Sequence, residues 1–144
     1  GMYLVDMDFS EKRLTIENIH VAVGISIFYL TVLRLIYKAF NPTPKLNNSI
    51  FPGQKIIAKL NHVFLYISIL MITISGALKK LYNGEELDMF FFNLEIQDNF
   101  DLAEIFYEIH ILGNYTLIAL ISLHIFAVLI HKILFKENLL KRIL

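Results

Sequence analysis

Three long apolar stretches, separated by polar segments, dominate the pattern along the chain. Residues 18–33, 60–78 and 109–131 contain no Asp, Glu, Lys or Arg. Each stretch is close to the ~20 residues that a helix needs to cross a hydrocarbon core of about 30 Å. The pattern therefore predicts three membrane-spanning helices, over about 15–39, 56–82 and 101–135.

Polar residues at the ends of these stretches indicate where the helices begin and end. Ser10 and Thr15 are alternative N-caps of the first helix, because their hydroxyls accept hydrogen bonds from free N–H groups. Paired prolines within residues 41–44 prevent that helix from continuing. The Asn-Gly pair at 83–84 favours the end of the second helix, and Asp101 favours the start of the third.

Composition supports a membrane protein and restricts the cofactors it can hold. The chain has 144 residues, of which 56% are hydrophobic, and a mean hydropathy of +0.59, which is too apolar for an ordinary soluble domain of this size. It contains no cysteine. Disulfides, thiolate ligands and covalent haem attachment through cysteine are therefore excluded, and histidine and methionine remain as soft ligands.

Lysine and arginine are unevenly distributed, although the formal net charge is zero. The first connection and the C-terminal tail are basic, whereas the N-terminal segment and the second connection are acidic. Basic segments stay in the cytoplasm, so we expect a multi-pass membrane protein with its N-terminus outside and its C-terminus in the cytoplasm. The basic positions are Arg34, Lys38, Lys45, Lys55 and Lys59 in the first connection, and Lys132, Lys136, Lys141 and Arg142 in the tail.

The second connection contains a dense aromatic cluster among its acids, in residues 85–100. This mixture suits a loop or a short helix at the outer membrane boundary. Simple packing over the helix ends is the alternative.

All five histidines lie within or at the ends of the apolar stretches. Ionisable side chains are costly inside a membrane helix, so we interpret these histidines as functional. His110 and His124 are fourteen residues apart, which places them within roughly 40° of one helical face and about 21 Å apart along the axis. One helix could therefore ligate two stacked cofactors.

The expected topology gives each histidine a depth. His20 and His110 should lie at the same outer level. His62 and His131 should lie together at the inner boundary, about 10 Å beyond His124. Paired imidazoles on both sides of a flat macrocycle are what a six-coordinate b-type haem requires, whereas zinc prefers four clustered ligands. We therefore predict His20, His110 and His124 as iron ligands.

Two glycines and an arginine share a helical face with the predicted ligands. Gly24 lies four residues after His20, and Gly113 three residues after His110. Bare backbone at these positions would admit a porphyrin, but close helix packing explains the two glycines equally well. Arg34, fourteen residues after His20, either pairs with a haem propionate or extends to the inner membrane surface.

Segments of all three helices resemble the bacterial cytochrome b561 family, which shares its membrane fold with the cytochrome b subunits of nickel-iron hydrogenases. The resemblance covers nearly the whole chain. It rests on IHVAVG at 19–24, LRL at 33–35 and NPTP at 41–44, on HVFLY at 62–66 and SG at 75–76, and on EIH at 108–110 followed by His124 and His131.

The resemblance implies an all-α membrane bundle of four helices and two b haems, with three of those helices present here in a single domain, residues 1–144. His20 and His110 would ligate the outer haem and His124 one side of the inner haem, while His62 and His131 would serve in quinone or proton handling. The other inner ligand comes from the family's first helix. Residues 1–7 look like the end of that helix, so the chain reads as N-terminally truncated. One or two haems are expected, the second only if His62 takes the missing position.

The function implied by this resemblance is electron transfer from an extracytoplasmic donor to a membrane quinone, with superoxide as the donor in some members. Bis-histidine ligation leaves no open iron position, which indicates outer-sphere transfer. A passive cytochrome b subunit that connects a peripheral dehydrogenase or hydrogenase to quinone is one alternative. A membrane bundle without haem is another.

The expected partners follow from these hypotheses. They are membrane lipid, quinone, and either a donor protein or superoxide; no nucleic acid is expected, and a homodimer stays open. A positive funnel on the outer side would favour an anionic donor, but the acidic outer loops argue against strong steering. The cations that could form such a funnel are Lys12, Arg13, Lys79 and Lys80.

Overall fold

Three long helices form the body of the protein in a computed structural model, which describes residues 2–5, 7–41 and 52–134. The elements in chain order are α1 (Met2–Val5), α2 (Glu11–Phe40), α3 (Pro52–Tyr82), β1 (Leu87–Asp88), β2 (Asn93–Leu94) and α4 (Phe100–Leu134). The tail cations after Lys132 and the prolines at 42 and 44 lie outside the described residues. The fold class is therefore all-α, as predicted.

The start of α2 follows from its N-cap. The Ser10 hydroxyl accepts a hydrogen bond from the backbone N–H of Arg13 at 3.2 Å, and this bond satisfies one of the free N–H groups of the first turn. Of the two predicted caps, Ser10 is thus the one used. Thr15 lies inside the helix, where its hydroxyl donates to the Glu11 carbonyl at 2.9 Å.

Helices α3 and α4 pack against each other along their length as an antiparallel pair. Two glycines allow the close approach: a Cβ on Gly113 would lie 2.7 Å from Cγ1 of Ile72, and a Cβ on Gly76 would lie 2.9 Å from the His110 ring. Where α3 ends and α4 begins, the rings of Tyr82 and Phe106 stack with their centres 5.7 Å apart. These contacts fix the register of the two helices.

Helix α2 packs against α3 less extensively than α4 does. Its buried contact with α3 is a small cluster of Ile25 and Leu81, which Leu87 of the connection completes. A hydrogen bond from Arg34 Nε to Tyr66 Oη, 2.9 Å long, joins the same two helices nearer the end of α2. α2 therefore leaves room between itself and the α3–α4 pair.

The acidic connection folds as a small β-hairpin and contains no helix. Strands β1 and β2 are antiparallel, with Leu87 opposite Leu94, and Leu87 is only 1% exposed. The Tyr29 hydroxyl of α2 donates to the Met89 carbonyl at 3.2 Å. The hairpin tip includes Phe91, which is 84% exposed. The aromatic cluster thus packs partly against α2 and is partly exposed.

The three long helices have the length and composition of membrane spans, over Glu11–Phe40, Ile56–Tyr82 and Phe100–Ile130. Most of their large apolar side chains are exposed in the isolated chain. Such a surface is unfavourable in water and favourable in hydrocarbon. The protein is a multi-pass membrane protein whose helices contact lipid.

Candidate functional site

The structure brings together the two histidines predicted for the outer level. His20 of α2 and His110 of α4 have ring centres 6.1 Å apart, with ring planes nearly perpendicular at 86°. Both side chains are half-buried. The packing of the helices therefore brings two imidazoles from different helices next to each other.

A backbone carbonyl of α3 orients the His110 ring. Nδ1 of His110 lies 2.9 Å from the carbonyl oxygen of Ile72. A carbonyl oxygen can only accept a hydrogen bond, so Nδ1 carries the proton and Nε2 keeps a free lone pair. Metal-ligating histidines usually donate their second N–H in this way. His110 is therefore prepared to bind a metal through Nε2.

Gly76 makes this arrangement of His110 possible. A Cβ at this position would lie 2.9 Å from both Cε1 and Nδ1 of the His110 ring. The sequence interpretation did not identify Gly76 as a site residue. A signal was present: Gly76 follows His62 by fourteen residues, which is also the spacing between His110 and His124.

The separation of the outer pair fits two axial ligands of one iron. A bond from a metal to imidazole nitrogen is about 2.0–2.1 Å long, so trans ligands place their nitrogens about 4 Å apart and their ring centres about 6 Å apart. The observed 6.1 Å between His20 and His110 agrees with this value. The donor set, two neutral imidazoles, is that of a six-coordinate b-type haem.

A second histidine pair lies nearer the start of α3 and the end of α4. The ring centres of His62 and His124 are 5.1 Å apart, at an interplanar angle of 65°. His62 was expected at the inner boundary together with His131, and in the structure its ring lies against that of His124. His131 is on α4 seven residues beyond His124, about 10 Å along the helix; its side chain lies outside the described part of the structure.

The register of α3 against α4 explains why His62 lies beside His124. Gly76 of α3 faces His110 of α4. His62 lies fourteen residues before Gly76, and it faces His124, which lies fourteen residues after His110. Depths inferred from the ends of apolar stretches cannot fix this register, because helices extend beyond those stretches. The close contacts at Gly76 and Gly113 fix it instead.

Asn61 is the polar neighbour of His124, and sequence interpretation missed it as well. Its side-chain amide nitrogen is 2.9 Å from His124 Nδ1. An amide can serve that ring nitrogen as donor or acceptor, depending on the orientation of the amide and the tautomer of the ring. When the amide nitrogen donates to Nδ1, Nε2 of the neutral ring carries the proton; Nε2 keeps a free lone pair only when the amide oxygen faces Nδ1.

An open groove of about 410 Å³ lies beside His62, within the range of about 300–1,000 Å³ that small-molecule sites occupy. All three long helices contribute to its walls, which are mostly apolar. Arg34 and Tyr66 supply polar groups, and Lys38 lies 5.1 Å from the centre of the Tyr66 ring. Arg34 is thus held at the groove that His62 lines.

The two candidate glycines have different surroundings. At Gly113, the contact with Ile72 explains the glycine by close helix packing. At Gly24, no described heavy atom lies within 4 Å of where a Cβ would stand, leaving aside the neighbouring residues and the backbone of its own helix turn. Open space at Gly24, one turn from His20, is consistent with room for a flat ligand.

Three of the four cations that were predicted for the outer side are engaged by acids or by a carbonyl. Lys79 lies 4.0 Å from Glu17 and Lys80 lies 2.6 Å from Glu85, while Arg13 donates to the Met7 carbonyl at 2.6 Å. Burial alone would raise the pKa of Glu85, but the hydrogen bond and charge of Lys80 outweigh it and hold that pKa below its usual value.

Comparison with known proteins shows the family of the chain. Residues 1–144 match the family described as prokaryotic cytochrome b561. The chain belongs to the prokaryotic cytochrome b561 family. Membership implies a b-type haem and electron transfer across the membrane, and the bis-imidazole geometry of His20 and His110 fits such a haem.

Two relatives are similar along most of their length. Cytochrome b561 homolog 2 of Escherichia coli (strain K12) is 26% identical over 148 residues, which cover 100% of this chain and 79% of the relative. A Yersinia pestis protein named "Probable superoxide oxidase CybB" is 28% identical over 130 residues, which cover 89% of this chain and 74% of the relative.

Proposed function

We propose that this cytochrome b561 carries electrons through the bacterial inner membrane, from an extracytoplasmic donor to a membrane quinone. His20 and His110 would hold a haem at the outer level, and His124 would help to hold one at the inner level. The N-terminus of the chain lies outside and its C-terminus in the cytoplasm, as the distribution of basic residues favours.

The single observation that carries this proposal is the His20–His110 pair. Its ring separation of 6.1 Å suits two ligands of one iron, and the Ile72 carbonyl leaves Nε2 of His110 free to bind. A b-type haem bound there would supply one-electron transfer at an iron with no open coordination position. The protein's own part is to orient the imidazoles and to exclude bulk water from them.

The spacing along α4 extends this path towards the cytoplasm. His110 and His124 belong to the same helix, and fourteen residues correspond to about 21 Å of helix rise. A rigid helix that is packed along its length against α3 holds the two levels at a fixed separation. The quinone acceptor would then approach at the inner level, where the groove beside His62 is open to the surroundings.

Superoxide is a candidate donor because one relative is named a probable superoxide oxidase. The engagement of Lys79 by Glu17 and of Lys80 by Glu85 removes the strongest source of steering for an anion. We therefore expect the rate of reduction by superoxide to change by less than about tenfold with ionic strength, the low end of the effects that steering produces.

A passive cytochrome subunit is the second candidate function, and the charge of the outer side favours it. With its lysines paired, the hairpin region keeps Glu86 and Asp88 exposed. An acidic surface is suited to a donor protein with a basic docking face. In this case the chain would connect that protein to quinone without a reaction of its own at the outer side.

Quinone reduction by the isolated, haem-loaded protein separates the two functions. The protein in detergent is mixed with a soluble ubiquinone analogue and enzymatically generated superoxide, at low and high salt. Turnover that depends on His110, with a weak salt dependence, supports the superoxide reaction. Absence of turnover with the haem fully loaded would support the passive subunit, and a protein that binds no haem would refute both.

A further inference from the structure

We propose that the Lys79 ammonium binds a propionate carboxylate of the haem that His20 and His110 would hold, and that the Glu17 carboxylate shares this lysine. The inference rests on the proposed function. It deepens that function by naming the side chain that would recognise the charged edge of the cofactor, in addition to the two imidazoles that would bind its iron.

The first support is the position of the Glu17–Lys79 ion pair beside the two imidazoles. Glu17 lies three residues before His20 on α2. Lys79 lies three residues after Gly76 on α3, and Gly76 faces the His110 ring. Three residues correspond to about 4.5 Å of helix rise. Both charged residues are therefore about one turn from the imidazole pair, at the end of the bundle where α3 ends and α4 begins, which we call the hairpin end.

The second support is the distribution of charge around the imidazole pair. Away from the hairpin end, all three helices continue into stretches without Asp, Glu, Lys or Arg. Towards the hairpin end, three charged residues lie within three positions of the two imidazoles and of the glycine between them; they are Glu17, Lys79 and Glu108. A carboxylate is costly to bury without a counter-charge. Haem propionates should therefore point to the hairpin end, where Lys79 is the cation of this set.

The third support is the way in which Lys79 is engaged. Its ammonium lies 4.0 Å from the Glu17 carboxylate, and the two side chains are 32% and 27% exposed. The neighbouring Lys80 instead makes a close ion pair with Glu85, at 2.6 Å. An ammonium group has three N–H donors. Lys79 can therefore keep Glu17 as a neighbour and also bind a second carboxylate.

The direction of the Lys79 side chain also suits this role. In an α-helix, each Cα–Cβ bond is tilted towards the helix N-terminus. For Lys79 on α3, this direction leads back towards Gly76 and the His110 ring that Gly76 faces. The flexible four-carbon stem of lysine then lets the ammonium reach Glu17 and a carboxylate at the edge of a haem bound there.

The test compares the affinity of haem b with that of haem b dimethyl ester, in which both propionates are uncharged. The full chain in detergent is titrated with each haem, and binding is followed by the low-spin electron paramagnetic resonance signal that depends on His110. Lys79→Gln should weaken haem b binding about tenfold, at the low end for a hydrogen bond between charged groups because the site is partly exposed. It should leave binding of the ester unchanged. Lys79→Arg should keep the affinity for haem b, because the cation is retained.

Two further variants distinguish a contact with the haem from a structural role. Lys80→Gln is the matched control, since it removes the next lysine of the same helix, whose partner is Glu85; it should bind both haem forms as the unmodified protein does. Glu17→Gln removes the ion pair but leaves Lys79 available, so haem b should bind at least as tightly as before. If the pair only joined α2 to α3, its loss would weaken both haem forms.

Four outcomes would overturn the inference and leave the proposed function intact. They are unchanged binding of haem b in Lys79→Gln, equal weakening of haem b and its ester in that variant, an equally large loss in Lys80→Gln, and weakening of both haem forms in Glu17→Gln. Absence of the His110-dependent signal from the unmodified protein after addition of haem b would instead refute the proposed function.

Discussion

Replacement of Gly76 by alanine should disturb the outer site directly, although Gly76 itself has no ligating group. The new methyl carbon would lie 2.9 Å from two atoms of the His110 ring, whereas carbon atoms are most stable about 3.5–4.0 Å apart. The ring cannot simply rotate away, because its Nδ1 is bonded to the Ile72 carbonyl. Either that hydrogen bond breaks or the two helices separate.

The expected magnitude follows from two opposing contributions. Overpacking of this kind costs about 1–3 kcal/mol. Exchange of glycine for alanine inside a helix stabilises the folded state by up to about 1 kcal/mol. The net loss of stability is therefore roughly 0–3 kcal/mol. Loss of the bond that orients His110 should weaken outer haem binding by about 10–100-fold.

Haem titration and thermal unfolding in detergent measure these two effects. Gly53→Ala is the matched control on the same helix, since no described heavy atom lies within 4 Å of the added methyl outside its own helix turn. It should leave haem binding unchanged. If Gly76→Ala bound haem with the affinity and spectrum of Gly53→Ala, the proposed orientation of His110 would be wrong.

The remaining predictions concern charged side chains. If Arg34 pairs with a haem propionate, Arg34→Gln should lower the midpoint potential of the inner haem by tens of millivolts; about 59 mV corresponds to a tenfold change in the equilibrium constant of a one-electron couple. An unchanged redox titration would instead favour simple extension of Arg34 to the membrane surface. The Lys80–Glu85 pair should protect the hairpin at neutral pH, because the lowered pKa of Glu85 keeps the carboxylate charged in the folded state. This contribution should disappear as the pH falls through that lowered pKa. The Met89 amide bonds to the Phe92 carbonyl in the hairpin. Its hydrogen-exchange rate, corrected for the intrinsic pH dependence, should show this loss in the unmodified protein. A Glu85→Gln variant with the same pH profile would contradict the prediction.

The sequence predicts the helices well because the signals for membrane spans are strong and local. Runs of about 20 apolar residues without charge leave few alternatives to a helix in hydrocarbon. Ser10 was one of two predicted caps and is the one used. The pairing of His20 with His110 could also be predicted, because both histidines lie near the start of apolar stretches that were expected to enter the membrane from the same side.

Contacts that depend on register could not be predicted. The pairing of His62 with His124 requires a shift of seven residues from the expected depth, and only side-chain packing at Gly76 and Gly113 determines it. The β-hairpin could not be predicted for a different reason. Its strands have two residues each, too few for a period-2 pattern, and Phe90 adopts a positive φ of 68° that few non-glycine residues favour.

The most direct test of the account is the reduced-minus-oxidised spectrum and electron paramagnetic resonance signal of the purified chain and of its His20→Ala and His110→Ala variants. Because the two imidazoles share one iron in the proposed site, the unmodified protein should show a low-spin bis-histidine haem, and both variants should lose the same signal. Full retention of that signal in either variant would contradict the central claim.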